Sequence, residues 1–150
     1  MKIFRGFRHP GIAPACALTI GNFDGVHRGH QAMLALLNGE AAQRGVQSCA
    51  LTFEPHPRAF FAQAAGKDQP AFRLMNAQAR AHRFEMLGVE YLFELPFDAT
   101  LAAMSAEDFA RDVLAAGLGV AHVTVGADFR FGAGRKGGAE DLEQIGRAHV

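Results

Sequence analysis

Hydrophobic positions along this 150-residue chain fall alternately into short continuous runs and helical stripes. Residues 16–20, CALTI, form an apolar and β-branched run that predicts a buried strand. From Gln31 to Arg44, Met33, Leu36, Leu37 and Ala41 recur at helical spacing, and Gly45 stands where a C-terminal cap is expected. Gln47 to Phe53 predicts a second strand, completing a βαβ unit whose two strands run parallel. A helix over 76–87 follows, with Asn76 as N-cap and Gly88 past its end; Arg80 and Arg83 fall within it, and Arg80 reads as a solvated position. Val89 to Leu95 predicts a third strand and Phe97 to Met104 a connector. Ser105 with Asp108 resembles a capping box, opening a helix to about Ala116 that buries Phe109, Val113 and Leu114. VAHVTVG, residues 120–126, is the most β-branched run and predicts a central strand. Residues 1–14 predict an edge strand or irregular arm, and 62–72 a polar surface loop. The whole pattern is one α/β domain over residues 1–144, a doubly wound, Rossmann-like parallel sheet.

The turn between the first strand and its helix is chemically the richest stretch: Gly21 to His30, GNFDGVHRGH. Its glycines at 21, 25 and 29 let backbone approach a ligand closely. A helix N-terminus offers unpaired N–H groups and a positive dipole end, both suited to phosphate. His27 and His30, three apart, project to one side of a first helical turn, where imidazoles can donate hydrogen bonds to phosphate oxygens. Asp24 can orient a histidine or bind magnesium, directly or through water. From these residues alone, a merely packed turn and a zinc site made by His27, His30 and Asp24 stay open.

Two further segments follow predicted strands and so lie on the same rim, beyond the strands' carboxyl ends. Glu54-Pro-His-Pro-Arg58 predicts a stiff extended wall, neither helix nor central strand, with Phe60 and Phe61 close by. Such a wall suits a flat aromatic ligand, and a plain proline-rich loop is the alternative. Residues 127–138 are rich in glycine and carry Arg130, Arg135 and Lys136, which either meet phosphates or are solvated on an exposed loop.

Composition narrows the setting. Lys plus Arg equals Asp plus Glu, so no global charge draws the chain to nucleic acid or an acidic membrane, and any polyanion site is local. Cys16 and Cys49 sit in apolar runs and read as two free buried thiols of a reducing compartment. No run of 18 apolar residues occurs and residues 1–14 lack the apolar core of a signal peptide, which points to the cytoplasm.

Three motifs in order, GNFDGVHRGH at 21–30, TFEPHPRAFF at 52–61 and VGADFRFG at 125–132, resemble the HxGH nucleotidylyltransferases. Within them the chain resembles the FMN adenylyltransferase module of bacterial FAD synthetases. The resemblance implies a nucleotidylyltransferase-type sheet and the reaction of ATP with FMN to give FAD and pyrophosphate, with Mg2+. It implies His27 and His30 as the catalytic pair. For ATP it implies Gly21, Asn22, Phe23, Asp24, His27, Gly29, His30, Asp128 and Arg130; for the flavin, Phe53, Pro55 and Pro57. No residue is assigned as a metal ligand, and ATP and FMN are the partners, without nucleic acid or membrane. Related enzymes carry a further SSTxIR-like motif and a riboflavin kinase module. Neither is found here, which implies a domain truncated at its C-terminus. The closing IGRAHV matches a translated sequencing adapter, so residues 145–150 are expected to be non-native. Another HxGH transferase, or a non-catalytic flavin or nucleotide binder, remains the alternative.

Overall fold

The computed structural model describes residues 1–6, 16–21, 23, 28–54, 57–66, 77–125, 130–132, 137, 138, 140 and 142. Five parallel strands make the main sheet: β1 (Lys2–Phe4), β2 (Ala17–Ile20), β3 (Ser48–Glu54), β4 (Tyr91–Pro96) and β5 (His122–Thr124). Their order is β1-β4-β3-β2-β5. Helix α1 (Arg28–Arg44) links β2 to β3; α2 (Pro57–Ala64) and α3 (Ala77–Met86) lie between β3 and β4. A short α4 (Ala99–Ala103) and a one-turn α5 (Ala106–Asp108) follow, and α5 runs on as a π-helix over Phe109–Gly117. β6 (Arg130–Phe131) and β7 (Gly137–Gly138) pair antiparallel as a separate small ladder.

Alternation along the strands builds a core on each face. Cys16, Leu18, Ile20, Cys49, Leu51, Phe93 and Leu95 point to one side, where Phe109, Ala110, Val113 and Leu114 of the π-helix close over them. The intervening Ala17, Ala50 and Leu92 face Leu34, Leu37 and Ala41 of α1 and Ala81 and Phe84 of α3. A sheet covered on both faces in this way needs near-continuous apolar strands, which is what CALTI and SCALTF supply. The sheet is doubly wound, as expected. Gly45 (φ +66°) and Gly88 (φ +88°) end α1 and α3 in the left-handed region.

Several elements differ from the sequence expectation for physical reasons. On α1 the buried stripe is Leu34, Leu37 and Ala41, whereas Leu36 is exposed. Phe97–Met104 is more than a connector, because Asp98 Oδ1 accepts from the Leu101 N–H at 2.8 Å and caps α4. Ser105 Oγ likewise accepts from Asp108 N at 3.1 Å, the first half of the expected capping box. Among the described residues β5 pairs only with β2 and forms an edge rather than a central strand. Its β-branched character serves a single face, since Val123 and Val125 enter the core while His122 and Thr124 are half-buried and meet at 3.1 Å.

Cys16 and Cys49 are free and fully buried. The hydrogen bond to Cys16 and burial push the Cys49 thiol far above its ordinary range, so it stays a protonated, inert core group. Among the described residues no helix is long and apolar enough to cross a membrane.

Candidate active site at the carboxyl rim

β2 is the strand from which the chain turns both ways: β3 and β4 follow on one side, and β5 returns to the other. Ligands of open parallel sheets bind at such a switch point, outside the strands' carboxyl ends. The three sequence motifs leave β2, β3 and β5, which are neighbours in the order β3-β2-β5. The fold therefore brings Gly21, Glu54 and Val125, where the chain leaves these three strands, to one rim.

After β2, Gly21 N donates to Leu51 O at 3.1 Å, tying the start of the turn to β3. Phe23 then takes φ +51°, a conformation costly for a side chain with a Cβ, and is only 2% exposed. Its ring lies 5.0 Å from Phe84 of α3 and 5.1 Å from His30, edge-on to both. A Cβ on Gly21 would stand 3.2 Å from that ring, so Gly21 leaves room for Phe23 to fold back beneath the turn. The Phe23 side chain is thus buried between His30 and Phe84, on the inner side of the segment that the resemblance assigns to ATP. Gly29 and His30 lie in the first turn of α1, as expected. Asn22, Asp24 and His27 lie outside the described residues.

Beyond β3, helix begins at Pro57, where the sequence predicted an extended wall. Pro57 opens α2, a position where proline's missing N–H and fixed φ cost nothing. Pro55 lies outside the described residues. Phe60 and Phe61 thereby come from one helix and meet Phe97 at 5.3 and 5.8 Å. Phe53, half-buried at the end of β3, packs edge-on against Phe97 at 5.7 Å. Phe61 is 55% exposed, so this aromatic group has an outer, open member. Sequence reading missed Phe97; its signal was one more phenylalanine directly after a strand ending on the same rim.

The largest correction concerns Arg80. It is 1% exposed rather than solvated. Its Nη2 donates to Glu54 Oε2 at 3.1 Å and lies 4.0 Å from Glu94 Oε1. Arg5 Nε approaches the other Glu94 oxygen at 3.6 Å. In the third motif, Arg130 belongs to β6 and pairs with Gly138, while Gly137 and Gly138 are buried, so part of the supposed exposed loop is an ordered ladder. Asp128 lies outside the described residues.

The doubly wound parallel sheet, with glycine-bearing turn and histidine helix at its switch point, is a nucleotidylyltransferase-like α/β domain. The family model described as FAD synthetase matches residues 10–150, and the chain belongs to that family. It is 45% identical over 149 residues to the bifunctional riboflavin kinase/FMN adenylyltransferase of Pseudomonas fluorescens. It is 40% identical over 148 residues to the corresponding protein of Escherichia coli K12. Each alignment covers 97% of this chain and 46% of the relative, so the chain spans about half the length of these curated relatives. The crystal structure of a macrolide-efflux protein from Streptococcus pneumoniae matches 96% of this chain and 47% of that one. With a TM-score of 0.80 at 22% identity, that likeness speaks for the fold alone.

Proposed function

We propose that this domain transfers the adenylyl group of ATP to FMN, yielding FAD and pyrophosphate, in a cytoplasmic protein whose remainder carries a riboflavin kinase module. The observation that carries the reading is the convergence on one rim of the glycine–histidine turn and an aromatic group, Phe53, Phe60, Phe61 and Phe97, on a FAD synthetase family scaffold. An FMN phosphate oxygen attacks the α-phosphorus of ATP, the α–β bridging P–O bond breaks, and pyrophosphate departs with the bond's electrons. No side-chain nucleophile is required, so the protein positions its substrates and stabilises charge. His30, with His27 beside it in sequence, donates to phosphate oxygens as negative charge moves onto the leaving group. Gly21, Asn22, Phe23, Asp24 and Gly29 of the first motif are assigned to ATP, with Asp128 and Arg130 of the third. Phe53, Pro55 and Pro57 belong to the flavin side.

Magnesium prefers oxygen ligands and commonly arrives held by substrate phosphates. Among the described residues no three His, Cys, Asp or Glu side chains gather to hold a metal, and Glu54 at this rim is engaged by Arg80. A magnesium ion carried in by ATP would neutralise phosphate charge at this site, with Asp24 as the protein's candidate contact.

The test is incubation of the full-length gene product with ATP, Mg2+ and FMN, following FAD and pyrophosphate together. Equimolar FAD and pyrophosphate are expected. Adenylyl transfer to other phosphate acceptors but not FMN would assign a different transferase of this type. Flavin quenching without pyrophosphate release would leave only a binder.

A further inference from the structure

The buried charge of Arg80 is not explained by core stability. Desolvating a guanidinium is costly, and well-packed apolar residues in place of a buried ion pair are often as stable or more so. The network lies, instead, where β3 hands the chain to the rim. Glu54 is the last residue of β3 and directly precedes Pro55-His56-Pro57. Its side chain is 43% exposed, yet the buried Arg80 holds one of its carboxylate oxygens at 3.1 Å. Its backbone carbonyl accepts from the Phe97 N–H at 3.2 Å. Phe97 is in turn the ring against which Phe53, Phe60 and Phe61 all pack. Arg80 also lies 4.0 Å from Glu94, which occupies the neighbouring strand and is itself approached by Arg5. One guanidinium thus links Glu54, the last residue of β3, to Glu94 within β4, and the Glu54 carbonyl in turn holds the backbone of Phe97.

We infer that Arg80 is a positioning residue for the acceptor: by fixing Glu54 it sets where β3 ends and how the Phe53–Phe60–Phe61–Phe97 group is presented. The inference rests on the flavin reading given above. Arg80 touches no substrate and acts through Glu54, so its loss falls on the acceptor side and spares the nucleotide side. On the nucleotide side the contact to α3 is made by a different residue, Phe84, against which Phe23 packs.

The test compares Arg80→Met, Arg80→Lys and Glu54→Gln in the full-length gene product, measuring KM for FMN and for ATP separately, kcat and melting temperature. Arg80→Met is expected to raise the FMN KM about tenfold while the ATP KM and kcat move less than about threefold. Arg80→Lys should restore most of that loss, because an ammonium on a long stem still reaches Glu54 as a point charge. Glu54→Gln should shift the FMN KM in the same direction with little change in melting. Equal shifts in both KM values, or an unchanged FMN KM in both Arg80→Met and Glu54→Gln, would overturn the inference. If Arg80→Met does not fold, Glu54→Gln decides by the same criterion. If the wild type makes no FAD, the functional reading fails separately. The NMR contacts of the Phe97 ring with Phe53 and Phe60 then decide: loss in Glu54→Gln supports the positioning role, and retention overturns it.

Discussion

Replacing His30 with alanine is expected to lower kcat for FAD formation by about 10²–10³-fold, the usual loss when one preorganised donor to developing charge is removed. The structure gives the reason for a loss of this size. His30 stands in the first turn of α1, where the helix dipole already favours anions, so its donor works beside a fixed positive field. Its ring is set against Phe23, whose own ring is wedged on Phe84. Phe23 pays for that wedge with φ +51°, and backbone strain of this kind survives only where surrounding contacts over-determine it. The donor is therefore held in place before substrate arrives. His30→Gln retains a donor of similar reach and should recover part of the rate, whereas a melting temperature equal to that of wild type would show that the alanine variant remains folded. Steady-state rates of FAD and pyrophosphate release check the expectation. An unchanged kcat in His30→Ala would remove the residue from the chemistry.

The chain's periodicities made much of this arrangement legible. β2, α1, β3, β4 and the helix after Ser105 were expected within a few residues of where they lie, because strands buried on both faces read as apolar runs and helices as stripes. The rim followed from connectivity alone, since parallel strands joined by helices must bring their carboxyl ends to one edge. What the sequence hid depended on contacts between distant residues. Arg80 looks like any solvated helix cation until Glu54 and Glu94, 26 and 14 positions away by their numbering, are brought against it. Two local signs did exist: Arg80 sits four residues before Phe84 on the buried face of α3, and Glu94 interrupts an otherwise apolar strand. A charge on the inner face of a helix and another inside a buried strand call for each other. The proline segment was misread for a different reason. Proline forbids helix interiors but favours first turns, and only the following Arg-Ala-Phe-Phe-Ala-Gln-Ala run says which applies to Pro57.

Glycine substitutions offer the sharpest contrast in the molecule, because the same added methyl group is expected to act with opposite sign at two sites. Gly132 closes the third motif with φ +79°, and a Cβ there would lie 2.6 Å from Ala106 N and 2.7 Å from its Cα. Those are backbone atoms of the first turn of α5, which Ser105 fixes by capping, so they cannot swing aside as a side-chain tip would. Gly132→Ala must therefore both strain a left-handed residue and push the β6–β7 ladder off the start of α5. Together these are expected to cost about 2–4 kcal/mol and, for a chain of this length, about 5–15 °C in melting temperature. The displaced segment includes Arg130, so under the proposed assignment of that residue to ATP the ATP KM should rise with the loss of stability. Gly39 is the counterpart: it lies inside α1 with nothing within 4 Å of an added Cβ. Gly39→Ala removes only the unfolded chain's freedom and should stabilise by about 0.5–1 kcal/mol. Thermal melts of the two variants beside wild type decide the matter. If Gly132→Ala melts with wild type while Gly39→Ala gains, the approach to Ala106 does not fix the loop, and the third motif must be held on the rim by other contacts.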